Sequence, residues 1–574
     1  ATDGLLVHGE NYQALRLLEA RYREQVKCIH IDPPYNTETS GFLYKNTYQH
    51  SSWLAMMDGR IRTGLFLMSP NGAFLCHIDE NEYERLNLLF TYIGIPDAGT
   101  IVWDKKNPML GRKGIATQHE YILWRTWNDS PVYIRPKNVR MILSKAKSLI
   151  QQYGEVNDEV RREFAAWISS CKELSGGERA YRFIDDDGRV FQSVGMSAPE
   201  PRQDPKFHVP LIHPVTKKPC PVPPNGWSRT PETLQELVKR GEIIFGEDET
   251  VQPRRKVFLT DESKRQLASV IRDAGRGKAD MLKLGLEFPY CHPVSLYEEL
   301  LGAATLDGNG IILDYFAGSG TTGHAVINLN REDGGRRKFI LVEMGEYFDT
   351  VLLPRIAKVM YTPEWKDGKP KREATPEEAE RTPRLVKILR IESYEDTLHN
   401  LAAPSTLERA AEHEEAYKAL AGEEAYRLRY WIELPLSEAE TCLRTFNLAH
   451  PFAYSLEILT DDGPVKKPVD VVETFNYLYG LRVKRYETWR NPADGDREYR
   501  VVKAIDREGR RRILVLWRDM DGVDVETERA FLETKIAEME ESGETWDEIL
   551  INGDSPTSGV ASLDPLFKWL MMQG

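Results

Sequence analysis

The sequence predicts an α/β protein built on a doubly wound, mostly parallel sheet, with an α+β domain inserted into it and an α+β region after it. Three observations lead there. Apolar runs of strand length alternate with amphipathic runs of helix length from residue 5 to residue 127, the pattern of a sheet wound with helices. The alternation breaks near residue 130 and resumes near 286. Two of the apolar runs stop abruptly, one at Asp32-Pro33-Pro34-Tyr35 and one at Phe316-Ala317-Gly318-Ser319-Gly320-Thr321-Thr322-Gly323. A chain of 574 residues also exceeds what one hydrophobic core organises, so several structural units are expected.

A strand at residues 5–7 leads through Gly9-Glu10-Asn11, where Asn11 is placed to cap a helix from Tyr12 to Tyr22. Val26 to Ile31 is a buried strand, followed by the double proline and a Thr-, Asn- and Tyr-rich loop from Asn36 to His50. That loop is too long for a simple connector. A helix from Trp53 to Met68, a strand from Ala73 to Ile78, a helix from Asn81 to Ile93 and strands at Thr100–Trp103 and Tyr121–Trp127 complete the first run. The second run has a helix at Val294–Ala304, a strand at Ile311–Tyr315, the glycine turn, a helix to Asn330 and a strand from Phe339 to Val342 that meets Glu343. A linker rich in proline and charge spans Thr362 to Pro383, an acidic helical segment Leu407 to Arg427, and strands Tyr499–Ala504 and Arg512–Trp517 lie beyond. The expected division is 1–129 and 286–360 for the two core halves, 130–285 for the insertion, 361–425 for linker and helix, and 426–574 for the C-terminal domain.

Composition narrows the function classes. No apolar run reaches the roughly 18 residues of a membrane span, and no charged-then-apolar leader opens the chain. Six scattered cysteines without a CxxC pair point to a reducing, cytoplasmic setting and no metal site. The net charge of −13 hides an asymmetry: residues 101–290 carry 32 Lys+Arg against 25 Asp+Glu, and the remainder carries 44 against 64. Local basic surface is what binds phosphates. The candidates are Lys105-Lys106, Arg112-Lys113, Lys217-Lys218, Arg254-Arg255-Lys256 and Arg272/Arg276/Lys278.

The two abrupt turns carry the chemistry. Consecutive prolines lack N–H groups and end the strand, leaving a carboxylate, exposed carbonyls and an aromatic ring at its C-terminal end. Open α/β sheets bind ligands there, and this set suits a planar ring bearing an amine. Gly318, Gly320 and Gly323 satisfy G-x-G-x-x-G between strand and helix, with Glu343 about twenty residues on to hold a ribose. An NAD oxidoreductase is one reading of that spacing. S-adenosylmethionine presents the same adenosine without phosphates, and Asp314 would repel pyrophosphate but suit a cationic amino-acid end. An oxidoreductase has no use for Asp-Pro-Pro-Tyr; an amino-methyltransferase does. The chain has no G-x-x-x-x-G-K-[ST] sequence, so any ATP-driven step belongs to another polypeptide.

The two motifs and their order resemble the amino-group DNA methyltransferases of the β-class, with a Rossmann-like core and the target-recognition region between the motifs. The likeness is greatest to modification (Mod) subunits of type III restriction–modification systems. It runs through LLVHGENYQAL, IHIDPPYNT, HSSWLAMM, HIDENEYERL, QHEYIL, the PRRKVFL run, LDYFAGSGTTGHAV, KFILVEMGEYFD, VETFNYLYGLRVKR and SLDPLFKWLM. The resemblance implies methyl transfer from S-adenosylmethionine to the N6 amine of a flipped-out adenine in double-stranded DNA. N4-cytosine methylation, or a recognition subunit with lapsed chemistry, are the alternatives; Asp rather than Ser at residue 32 favours adenine. Asp32, Pro33, Pro34 and Tyr35 would be catalytic. Asp314, Phe316, Gly318, Gly320, Thr321 and Glu343 would hold the cofactor, joined by Glu10, where the family usually has Asp, and His292, where it usually has Lys. Lys105, Lys106, Arg112, Lys113, Arg254, Arg255 and Lys256 would contact DNA. The resemblance also implies a homodimer, a separate restriction (Res) subunit, and more sequence ahead of the first strand.

Overall fold

The buried apolar runs pair side by side into one nine-stranded sheet. The structure is a computed structural model that describes residues 2–37, 48–106, 115–135, 138–171, 174, 176–260, 262–272, 275–393, 395–396, 400, 448–460 and 463–572. It divides into a core unit, residues 1–130 with 268–574, and an inserted unit, residues 131–267.

In the core unit the sheet strands are β1 (Gly4–His8), β2 (Val26–Ile31), β3 (Met68–Ile78), β4 (Asp97–Asp104), β5 (His119–Thr126), β6 (Val270–Arg272), β7 (Asn309–Asp314), β8 (Arg336–Glu343) and β9 (Val386–Arg390). Their order is β6-β4-β5-β3-β2-β7-β8-β1-β9. Every pairing is parallel except those of β5 with β3 and β4. Helices α1 (Asn11–Tyr22), α2 (His50–Leu67), α3 (Tyr83–Ile93), α4 (Val294–Ala304), α5 (Thr321–Asp333) and α6 (Leu353–Tyr361) accompany the sheet. Leu15, Leu18, Ile29, Ile31, Met57, Ile61, Phe74, Phe90, Leu313 and Ile340 build one continuous core against it.

The topology sets the position of the site. From β2 the chain moves to β3 on one side; from β7 it moves to β8 on the other. The sheet therefore reverses direction between β2 and β7, which pair directly, Ile312 opposite Cys28 and Leu313 opposite Ile29. A crevice outside the strand ends opens at such a reversal. The doubly wound α/β core is thus present, with the two motifs on its two central strands.

Three local expectations change. The first helix is capped by Glu10, whose carboxylate accepts from the Tyr12 and Gln13 amides, while Asn11 is the first helical residue and its amide nitrogen donates to the Tyr315 carbonyl at 2.9 Å. The insertion ends at residue 267, not 285, because Val270–Arg272 returns to pair with β4. Within the 361–425 stretch read as linker and helix, just past the Thr362–Pro383 linker, β9 extends the sheet beside β1. The helical segment at 407–427 lies outside the described residues.

The inserted unit is α+β. Helices Val139–Tyr153 and Asp158–Ser170 pack with Ile184 and Val190 around one core, and helix Pro231–Lys239 packs with Trp227 and Ile243 around another. A four-stranded sheet contains Arg254–Phe258, and a two-stranded pairing of Tyr133–Ile134 with Arg265–Gln266 closes the unit's base. The C-terminal region of the core unit holds a five-stranded sheet. Its strands Arg497–Ile505 and Arg512–Arg518 alternate: Val502, Ala504, Ile513, Val515 and Trp517 fill one core, and Tyr499, Val501, Leu514 and Leu516 fill another. Among the described residues no helix is long and apolar enough to cross a membrane.

Candidate active site

Asp32 follows the last residue of β2 and Asp314 ends β7, so the central pairing brings two carboxylates to one edge of the sheet. The double proline cannot continue the ladder, and its geometry is fixed from behind. The indole of Trp53, fully buried on α2, donates to the Pro34 carbonyl at 2.8 Å. The next turn is held as firmly. Asn36 adopts a left-handed φ of 58°; its side chain accepts from the Tyr48 amide and donates to Glu82 at 2.6 Å. His50 meets the same Glu82 oxygen at 2.6 Å. Both described ends of the Asn36–His50 loop thus rest on one buried carboxylate; residues 38–47 lie outside the described set.

Asp32 is 32% exposed and stands in a tight ionisable cluster. His292, just ahead of α4, places Nδ1 3.3 Å from its Oδ2 and Nε2 3.0 Å from Glu120 Oε2. Glu120, on β5, also accepts from the Tyr35 hydroxyl at 3.2 Å and from Lys105 Nζ at 2.5 Å. Burial pushes the Asp32 carboxyl up, opposed by the His292 charge. Burial acts upward on Glu120 too, but hydrogen bonds and charge from His292 and Lys105 win and hold it at about 2. For His292 burial acts downward, and the Asp32 and Glu120 carboxylates overcome it to raise the imidazole above its ordinary value. The Tyr35 phenol is pushed well up by burial and by Asp32 and Glu120, so it remains a donor.

The glycine turn forms the other half. Gly318 and Gly320 take left-handed φ values of 53° and 85° and so admit no ordinary side chain without strain. A Cβ on Gly318 would meet nothing within 4 Å, whereas one on Gly323 would strike Ile356 at 2.6 Å and Leu341 at 2.9 Å. Gly318 faces open space that a ligand can fill; Gly323 packs α5 onto the fold. Glu343, ending β8, accepts from the Gly318 amide at 2.7 Å and the Gly345 amide at 2.8 Å. Asp314 accepts from the Phe316 amide at 3.0 Å and the Thr322 hydroxyl at 2.6 Å. Burial pushes Asp314 up to about 7 against these bonds, and it also raises Glu343. Arg355, fully buried on α6, braces the turn through Ser319 Oγ at 2.7 Å and Thr321 Oγ1 at 3.0 Å. An open glycine edge flanked by two carboxylates fits a ligand with hydroxyls and a cationic end.

The remaining candidates separate. Glu10 is engaged as the α1 cap and pairs with Arg60. Its neighbour Asn11 reaches the β7 end through Tyr315. His292, expected on the cofactor side, makes its polar contacts with Asp32, Glu120 and Tyr297. Lys105, expected on the DNA-contacting surface, is drawn into the Glu120 cluster, which neutralises it. Lys106 is exposed, with a φ of 53°; Arg112 and Lys113 lie outside the described residues. In the inserted unit Arg254 donates to Ser193, Arg255 pairs with Glu242, and Lys256 lies over the Phe191 ring. The sequence reading assigned no role to Glu120, Trp53, Glu82 or Arg355. Glu120 left one signal, an acid inside the apolar strand HEYILWRT.

The sequence profile of a DNA methylase family matches residues 26–352. The chain is 31% identical over 388 residues to the type III restriction-modification enzyme EcoP15I Mod subunit of Escherichia coli, covering 60% of this chain and 58% of that one. It is 27% identical over 383 residues to the StyLTI Mod subunit of Salmonella typhimurium strain LT2, covering 59% and 52%. The chain thus spans little more than half the length of these curated relatives. A solved putative DNA modification methylase from Thermus thermophilus, complexed with S-adenosyl-L-methionine, superposes with a TM-score of 0.31 at 14% identity, covering 67% of this chain and 98% of that one.

Proposed function

Since the chain belongs to the DNA methylase family, whose profile spans residues 26–352, we propose that it transfers a methyl group from S-adenosylmethionine to the N6 amine of adenine in double-stranded DNA. The observation that carries this reading is the direct pairing of β2 with β7, which sets Asp32-Pro33-Pro34-Tyr35 beside the glycine turn at the sheet's reversal. When bound, the cofactor supplies a methyl group on an electrophilic sulfonium. Glu343 is the partner for the ribose hydroxyls, Gly318 and Phe316 border the adenosine, and Gly320 and Thr321 shape the turn. Asp314 faces the cationic end, with Glu10 and Asn11 closing that side.

An exocyclic amine is a weak nucleophile because its lone pair is delocalised into the ring. Asp32 accepts one amine N–H and the Pro33 carbonyl accepts the other; together they favour a pyramidal nitrogen and stabilise the charge that develops. Trp53 occupies the Pro34 carbonyl and so fixes the turn that presents its neighbour. Alignment of amine and methyl supplies much of the remaining rate. The amine is inaccessible in a stacked duplex, so the base is flipped out and Tyr35 is its stacking partner. Lys106 and the Arg254–Lys256 strand are the described candidates for phosphate contacts.

The relatives' names as Mod subunits support a second polypeptide, a Res subunit; a homodimer through the C-terminal region is the further assembly we propose. The test is tritium transfer from labelled S-adenosylmethionine to unmethylated genomic DNA, followed by identification of the modified base. Asp32→Ala should abolish transfer while cofactor and DNA affinities stay within about twofold. Undiminished transfer by that variant rejects the mechanism, and label on cytosine rejects the adenine assignment.

A further inference from the structure

The imidazole of His292 has no part in the steps described so far, yet it is closely built into the site. Its ring is walled by His77, stacked at 4.8 Å, by the edge of Trp103 at 5.0 Å and by Tyr297 at 5.9 Å. Nε2 lies 3.0 Å from Glu120, and Glu120 is anchored by Lys105 and Tyr35, so that nitrogen carries a proton in either charge state. Nδ1 has two neighbours of opposite character: the Tyr297 hydroxyl at 3.2 Å, which can donate, and Asp32 Oδ2 at 3.3 Å, which can only accept when ionised. The neutral ring is satisfied by Tyr297 and the charged ring by Asp32. Either state of Nδ1 finds a partner without any atom moving far.

We propose that His292 takes up, through Asp32, the proton that the amine sheds on methylation, with Glu120 and Tyr297 holding the ring ready for both states. The proposal rests on the methyltransferase reading. As the amine's lone pair forms the N–C bond, the methyl's bond to sulfur breaks and its electron pair stays on sulfur, leaving a neutral thioether. The nitrogen, now cationic, releases one proton to Asp32, and that proton passes from Oδ2 to Nδ1. Asp32 is again an anion, and His292, 13% exposed, discharges to solvent before the next turnover.

The groups facing the ring agree with this direction. They are Asp32, Glu120, Lys105, Tyr35, Tyr297, His77 and, behind His77, His30. Burial holds His30 at about 3 and pushes His77 well down, so neither competes for the proton. Glu120 stays ionised down to about 2. Of the three histidines only His292 is raised. His292 acts through Asp32 and is therefore a positioning and relay residue.

The experiment measures single-turnover transfer of tritiated methyl to unmethylated genomic DNA between about pH 6 and pH 9. The wild-type rate should rise with pH through a limb above the ordinary imidazole value. In His292→Gln, which keeps an amide donor for Glu120, the rate should fall about 10²-fold and the limb should vanish. Cofactor and DNA dissociation constants should stay within about twofold. A second readout needs no turnover: with 15N-labelled histidine, His292 should titrate above the ordinary value and carry its neutral-state proton on Nε2. If the wild type transfers methyl but His292→Gln matches its rate and limb, the relay is overturned and the methyltransferase reading stands. If the wild type transfers none, both fall. Should His292→Gln fail to fold, a flat wild-type profile or a neutral ring protonated on Nδ1 overturns the relay, and the limb with Nε2–H upholds it.

Discussion

A carboxyl group buried at the end of a strand keeps its proton until something beside it favours the charge. Asp314 does so up to about pH 7, against an ordinary 3.8. Between those values the folded protein holds a proton that the unfolded chain has lost, so Asp314 makes stability fall as pH rises, and the loss is complete above about 7. Asp314→Asn should flatten that segment of a Tm-against-pH curve and raise Tm at pH 8; an unchanged slope would assign the effect elsewhere. A cationic ligand end beside Asp314 favours the anion, so wild-type cofactor affinity should strengthen as pH rises through 7, and calorimetry reads this directly. At this scale the sequence was informative only where one short segment held the whole device. Asp32 and Tyr35 are three residues apart and legible together. Glu120 and His292 are 172 residues apart, and nothing local in either segment announces that folding joins them.

At the scale of elements, the glycine turn combines two demands that one motif hides. Gly323→Ala drives a methyl into Ile356 and Leu341; such overpacking costs about 1–3 kcal/mol and should appear as a lower Tm with little change in cofactor affinity per folded molecule. Gly318→Ala meets no protein atom within 4 Å and should instead weaken cofactor binding, with only the strain of its positive φ felt in Tm. Equal effects of the two changes on cofactor affinity would refute the division. Periodicity made the central elements readable because β2, β7 and β8 are buried, apolar and bounded by turn residues. It missed β9, an edge strand of half-exposed residues beside a charge-rich stretch, and β6, three residues that only pairing with β4 makes a strand. The cap moved from Asn11 to Glu10 because Arg60 and the Tyr315 carbonyl compete for the asparagine's side chain.

At the scale of the whole molecule, the chain alternates between a sheet whose order is fixed by long-range pairing and a unit that interrupts it for residues 131–267. Replacing that unit by a short Gly-Ser linker should leave cofactor binding within about threefold, since β2, β7 and β8 and their turns are all in the core unit. The same deletion should abolish sequence-selective methylation, read by sequencing modified bases in host DNA. Loss of cofactor binding in a folded deletion protein would show that the inserted unit helps build the cofactor site. The inserted unit was legible from composition, as a break in alternation, but its end was not, because β6 is too short to mark the sheet's return.

The pairing of Tyr133–Ile134 with Arg265–Gln266 has a consequence for how such a chain can change over generations. A unit that leaves and rejoins the chain at adjacent points can be swapped, lengthened or recombined wholesale. The chain that builds the sheet around Asp32 and Asp314 is spliced to the newcomer at two neighbouring joints. On the proposed reading, in which this unit contacts the DNA, target preference can turn over as a cassette while the residues of the core unit stay as they are.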